Sequence, residues 1–113
     1  MDDADKLAPF FKALADETRL RLVALLARQE PGNALCVGRL AAELETTSSN
    51  VSQHLRVLKD LGLVRKERRS YRIHYFLDAD RWAAYRRLEQ RLLGVNLFLA
   101  SMPEGQSTPG EGE

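Results

Sequence analysis

The stretch from Thr47 to Leu77 constrains this chain more than any other. Its first half places Val51, Leu55 and Leu58 on one helical stripe. Thr47 stands just ahead, where its hydroxyl can accept a first-turn amide hydrogen bond, and Gly62 stands just behind, free to take positive φ. Its second half holds two β-prone runs, Leu63–Arg68 and Tyr71–Leu77, around Arg69 and Ser70, which predicts a hairpin. The turn lacks a glycine, so its register stays open. A short capped helix followed at once by an arginine-loaded hairpin permits few folds.

Charge sharpens the picture. The chain of 113 residues is nearly neutral, at +1. Between Arg56 and Arg72, however, seven cations (Arg56, Lys59, Arg65, Lys66, Arg68, Arg69, Arg72) face only Asp60 and Glu67. That segment carries +5 and leaves −4 for the rest. Such local concentration is the footprint of a polyanionic partner, although a solvated surface hairpin would give the same count.

The remaining elements follow from periodicity. Leu7, Phe10, Phe11 and Leu14 predict a first helix over about Asp5–Ala15. Asp16 then reads as an N-cap, and Leu20, Val23, Ala24 and Ala27 as the stripe of a second helix. Leu22, Leu25 and Leu26 widen that stripe, so the helix is expected to be buried on much of its circumference. Glu30 to Asn33 is a loop by composition. Cys36–Leu44 is a short third helix with Leu40, Ala41 and Leu44 inward, and Glu45 and Thr46 make a tight turn. Asp78 or Asp80 caps a last helix on which Trp82, Tyr85, Leu88, Leu92, Val95 and Leu99 recur at three- and four-residue steps. The order is helix, helix, helix, helix, hairpin, helix: mainly α with a β-hairpin, a winged helix-turn-helix. Residues 1–100 make one domain and 101–113, rich in Pro, Gly, Ser and Glu, a disordered tail.

On the fourth helix, Ser48, Ser49, Ser52, Gln53 and Arg56 lie away from the core stripe, and Asn50 sits at its edge. Gln pairs with adenine and Arg with guanine in bidentate fashion, and small residues let backbone approach a duplex. Taken alone, the serines would be caps. Together with Arg65, Lys66, Arg68, Arg69 and Arg72 on the hairpin, they imply base contact by the helix and phosphate contact by the wing, on double-stranded DNA. His54 and His74 read as structural hydrogen-bonding residues. Trp82, Tyr85, Leu88, Leu92 and Leu93, with Phe10 or Phe11 beside them, are more apolar surface than a small monomer covers, which implies a homodimer. One cysteine, Cys36, forbids an internal disulfide and suits a reducing compartment. An acidic start without a signal-peptide layout and no long apolar run predict a cytoplasmic protein with no membrane partner.

Three segments carry a family resemblance: Ala13-Leu-Ala-Asp-Glu-Thr-Arg-Leu-Arg-Leu22, Leu35-Cys-Val-Gly-Arg-Leu40 and Asn50-Val-Ser-Gln-His-Leu-Arg-Val-Leu-Lys-Asp-Leu-Gly-Leu-Val64. Over about Leu7–Leu93 the chain resembles the ArsR/SmtB family of bacterial winged-helix repressors. The resemblance implies a homodimer built on the first and last helices. It also implies a repressor on a palindromic operator that an inducer, often a metal or metalloid, releases. It departs from the pattern at the sensor positions. The family's metalloid sensors carry a C-x-C pair where this chain has Cys36 and Gly38. The zinc sensors' Asp is matched by Asp80, but Trp82 stands where a nearby His belongs. The expected cofactor set is therefore empty, the inducer is open, and Cys36 is either a sensor or a small buried hydrophobe. An interaction module that does not read DNA is the competing function. An enzyme is disfavoured: no glycine-rich phosphate loop is present, nor a His or carboxylate near Cys36 in sequence.

Overall fold

The computed structural model describes residues 2–30 and 32–94. Four helices come first: α1 Asp3–Leu14, α2 Glu17–Arg28, α3 Val37–Leu44 and α4 Ser48–Asp60. The hairpin β1 Val64–Arg69 and β2 Arg72–Leu77 follows, then α5 Ala79–Glu89 and a wide π-type turn, Gln90–Gly94. The expected extension of the last helix through Val95 and Leu99, and the expected tail 101–113, lie outside the described residues.

Side-chain caps set most of the boundaries. Asp2 accepts a hydrogen bond from the Asp5 amide at 3.1 Å, so α1 starts two residues before the expected Asp5, with Asp3 and Asp5 favoured by the helix dipole. Asp16 caps α2 through the Arg19 amide (3.0 Å), and Thr47 caps α4 through the Asn50 amide (3.0 Å). Of the two candidates for α5, Asp78 is the cap, accepting from the Arg81 amide at 3.1 Å. Cys36 occupies the N-cap position of α3 and lies just outside that helix. Glu45 closes α3 in the left-handed region, φ 56.

The core joins Leu7 and Phe10 of α1, Leu22 and Leu26 of α2, Leu40 and Ala41 of α3, Val51, Leu55 and Leu58 of α4, and Leu63 and Val64. Two expectations need correction. The buried residues of α2 are Leu22 and Leu26, whereas Leu20 is 52% exposed and Ala24 and Ala27 are exposed. The larger i, i+4 leucine pair takes the core and turns the Leu20 face outward, so α2 is buried on one side only. The hairpin turn is shifted by one residue: Arg69 pairs with Arg72, and Ser70 and Tyr71 form the two-residue connection. Ser70 takes the positive φ (60) that such a turn demands, in place of glycine. A bridge between Leu35 and Tyr75, with the Tyr75 amide donating to the Leu35 carbonyl at 3.0 Å, docks β2 beside the start of α3.

Candidate nucleic-acid interface

With Val51, Leu55 and Leu58 buried, helical geometry turns Ser48, Ser49, Ser52, Gln53 and Arg56 outward, and all five are exposed. Asn50 is half-buried and belongs to the cap: its Nδ2 donates to Thr46 Oγ1 at 3.1 Å. The helix is oriented from behind by Arg19, a residue the sequence reading passed over. Arg19 Nε donates to the Ala13 carbonyl at 2.6 Å, and Arg19 Nη1 lies 3.1 Å from His54 Nδ1. An arginine is donor only, so in this contact His54 Nδ1 is the acceptor. His54 therefore has the structural role expected of it.

The wing's cations divide between two faces, because side chains alternate along a strand. Lys66 and Arg68 share a face with buried Val64, and Lys66 lines a cleft with Ser52, Arg56, Lys59, Asp60 and Tyr75. Arg65 and Arg69 lie on the opposite face, both paired with Glu67, Arg69 at 2.8 Å. Their guanidinium groups also sit over the Phe76 ring, 5.0 and 5.7 Å from its centroid. Arg72, on that same face at the tip, lies 5.7 Å from the ring centroid of Tyr71, which is 81% exposed. The structure thus gathers Ser52, Arg56 and Lys66 into one groove, and leaves Arg65 and Arg69 outside it. Lys59, absent from the sequence-derived site, belongs to the groove, and its spacing of three from Arg56 and seven from Ser52 was the available signal.

The residues expected at a dimer interface also separate. Phe10 is 3% exposed and stacks on Tyr85 (centroids 4.5 Å, planes at 14°), with its edge toward Trp82 at 5.6 Å. Trp82 Nε1 donates to the Leu63 carbonyl at 3.0 Å, and the Tyr85 hydroxyl to the Leu61 carbonyl at 3.3 Å. These three aromatic side chains serve the protomer's own core, because α1 folds back along α5. Leu88 is half-buried against the same core. Phe11, Leu92 and Leu93 remain open at 41%, 45% and 55% exposure. Arg91 is tied to Asp3 of α1 (2.9 and 3.0 Å) and holds the π turn beside that helix.

Cys36 is partly exposed. The Arg39 amide at the start of α3 draws its thiol below the usual range, aided by the Gly38 amide and by Arg72, with burial opposing them. Among the described residues no group of three or more His, Cys, Asp or Glu can hold a metal ion, and Gly38 supplies no second thiolate. A trigonal sulfur site within one chain does not fit these residues. No helix among the described residues is long and apolar enough to cross a membrane.

A two-strand wing packed behind a capped, polar-faced helix defines a winged helix-turn-helix protein of the transcription-regulator class. The chain belongs to the bacterial regulatory protein arsR family, whose model matches residues 16–66. It is 46% identical over 77 residues to the transcriptional repressor SmtB homolog of Synechocystis sp., covering 68% of this chain and 55% of that one. It is 35% identical over 109 residues to a "probable mercury resistance operon repressor" of Streptomyces lividans, covering 96% and 82%. Among solved structures it resembles the homodimeric winged helix-turn-helix DNA-binding domain of a Mycobacterium bovis regulator, at TM-score 0.61 and 29% identity, covering 82% of each chain. The chain spans just over half the length of the Synechocystis protein and of a Staphylococcus aureus cadmium-resistance regulator homolog, at 55% and 57%.

Proposed function

We propose that this protein is a dimeric, sequence-specific DNA-binding repressor that an inducer releases from a palindromic operator, and that it catalyses no reaction. The observation that carries this reading is the shared groove: Ser52 and Arg56 of α4 and Lys66 of β1 open onto one concave surface, with Arg68 on the same hairpin face as Lys66 and Gln53 exposed next to Ser52 on α4. The helix reads base edges in the major groove, and Lys66 and Arg68 grip phosphate beside it. The open apolar side chains Phe11, Leu92 and Leu93 pack against their symmetry copies and set the two reading helices about 34 Å apart, one turn of DNA. Relatives named for cadmium, arsenical and mercury resistance support a soft-ion or thiol-reactive inducer. Any such response in this chain runs through Cys36 of both protomers, because each contributes a single thiolate.

The test is a binding titration on the chain's own upstream DNA against a scrambled duplex. Wild type prefers the cognate palindrome, and Gln53→Ala loses about 1–3 kcal/mol on it with relaxed specificity. Equal affinity for both duplexes, in wild type and variant alike, refutes specific readout. The same titration with arsenite, divalent metals and thiol oxidants, repeated on Cys36→Ser, decides the sensor role; an unaltered response in that variant removes it.

A further inference from the structure

The hairpin's second face is turned away from α4. There Arg65, Glu67 and Arg69 of β1 stand opposite Phe76, His74 and Arg72 of β2. Between this face and the segment joining α2 to α3 lies a cavity of about 650 Å³, lined by Gln29, Asn33, Arg39, Arg69, His74 and Phe76 among others. That volume falls in the range of small-molecule sites. Gln29 is fixed as a wall: its Nε2 donates to the Tyr75 carbonyl at 2.9 Å and its Oε1 accepts from the Leu35 amide at 3.0 Å. His74 Nδ1 is buried, with no hydrogen-bond partner among the described residues. A buried polar atom left unpaired costs about 1–3 kcal/mol, so a turn of the His74 ring that brings Nδ1 to a ligand atom in the cavity is favoured. Four guanidinium groups (Arg39, Arg65, Arg69, Arg72) stand on this side against the carboxylates of Glu30 and Glu67, and Glu67 is already held by Arg65 and Arg69. Positive charge is in surplus, a histidine nitrogen lacks a partner among the described residues, and Phe76, with the Arg65 and Arg69 guanidinium groups over its ring, supplies the aromatic part of the wall.

We propose that this cavity binds a small organic carboxylate. Arg39 takes the carboxylate as a charge-assisted fork, the His74 ring turns to bring its Nδ1–H to it, and the hydrocarbon part lies along Phe76. The site lies on the face of β1 and β2 opposite the one that carries Lys66 and Arg68. Its occupancy needs no DNA, so this proposal and the DNA reading fail independently.

The experiment is an NMR titration of the isotope-labelled full chain with benzoate, and in parallel with benzamide and inorganic phosphate. Benzoate gives saturable shifts of the His74 ring and of the Arg69–Phe76 amides, with Kd of about 1 mM or tighter, while the His54 ring stays still. Benzamide and phosphate bind at least about tenfold more weakly, and Arg39→Met, shown to be folded by its melting curve, weakens benzoate by about tenfold or more. The proposal is overturned if benzoate produces no saturable shift, if benzamide or phosphate binds as well as benzoate, or if folded Arg39→Met binds benzoate as the wild type does.

Discussion

Sorting the wing's cations by face predicts that neighbouring arginines and lysines contribute unequally to DNA binding. Lys66 and Arg68 lie on the α4 side of the hairpin, and Arg65 lies on the other, paired with Glu67. Each phosphate a cation neutralises adds about −0.9 to the slope of log K against log salt. A dimer presents each residue twice, so Lys66→Gln or Arg68→Gln reduces the slope's magnitude by about 1.8. From about 50 to 200 mM salt that is roughly a tenfold smaller loss of affinity than wild type shows. Arg65→Gln removes a cation whose charge is already shared with Glu67 and whose side chain is about half exposed, so the slope changes by less than about 0.5. Fluorescence anisotropy of a labelled operator, titrated across that salt range with each variant, measures these slopes directly. Equal slope losses for Lys66→Gln and Arg65→Gln, or a larger loss for Arg65→Gln, refute the assignment of faces.

Gly62→Ala destabilises the fold by roughly 1–2 kcal/mol in urea denaturation, because φ is +78 there and a Cβ would meet the Arg81 guanidinium at 2.8 Å. Trp82→Phe keeps the ring packing on Phe10 but loses the hydrogen bond to the Leu63 carbonyl, which lowers stability by about 1 kcal/mol in the same assay. The Cys36 thiol, held low by the Arg39 and Gly38 amides, alkylates with its rate midpoint below that of cysteine in the urea-unfolded chain. The lowered value also means that the thiolate's contribution to stability is present above the unfolded pKa and is lost as pH falls through the folded one. Coincident folded and unfolded midpoints contradict both statements.

Most of the architecture was legible because local chemistry and burial agree. Thr47, Asp16 and Gly62 act where their side chains or backbone freedom place them, and Val51, Leu55 and Leu58 are all buried. The failures share a cause: partners distant in sequence. Nothing local tells whether Leu20 or Leu22 faces the core, since both lie on plausible apolar stripes, and only docking of α2 on α4 decides it. Phe10, Trp82 and Tyr85 read as an excess of exposed apolar surface until α1 is seen lying along α5. The one-residue shift of the turn exchanged the faces of no strand residue, and alternation alone separates Arg65 and Arg69 from Lys66 and Arg68; which of the two sets faces α4 is decided only by the burial of Val64 and the docking of β1 beside that helix. Arg19 was invisible as a positioning residue because its contacts reach back to Ala13 and forward to His54, 35 positions away.

Those distant contacts also join the two halves of the proposed mechanism. The segment Leu61–Leu63 links the reading helix to the wing, and α5 grips it three times. Arg81 Nη1 and the Tyr85 hydroxyl donate to the Leu61 carbonyl, both at 3.3 Å, and Trp82 Nε1 donates to the Leu63 carbonyl at 3.0 Å. The left-handed Gly62 lets the chain turn sharply between these carbonyls, with the Arg81 guanidinium packed where a Cβ would be. The helix that carries Leu88 toward the open Leu92 and Leu93 therefore also fixes the angle between α4 and β1. A change in how two copies of α5 pack would be transmitted to the angle between helix and wing, because the intervening hydrogen bonds and packed aromatic rings leave little slack. In the proposed dimer, whose two heads would meet half-sites one DNA turn apart, that coupling allows an event at the α5 interface to alter affinity without touching a single base contact.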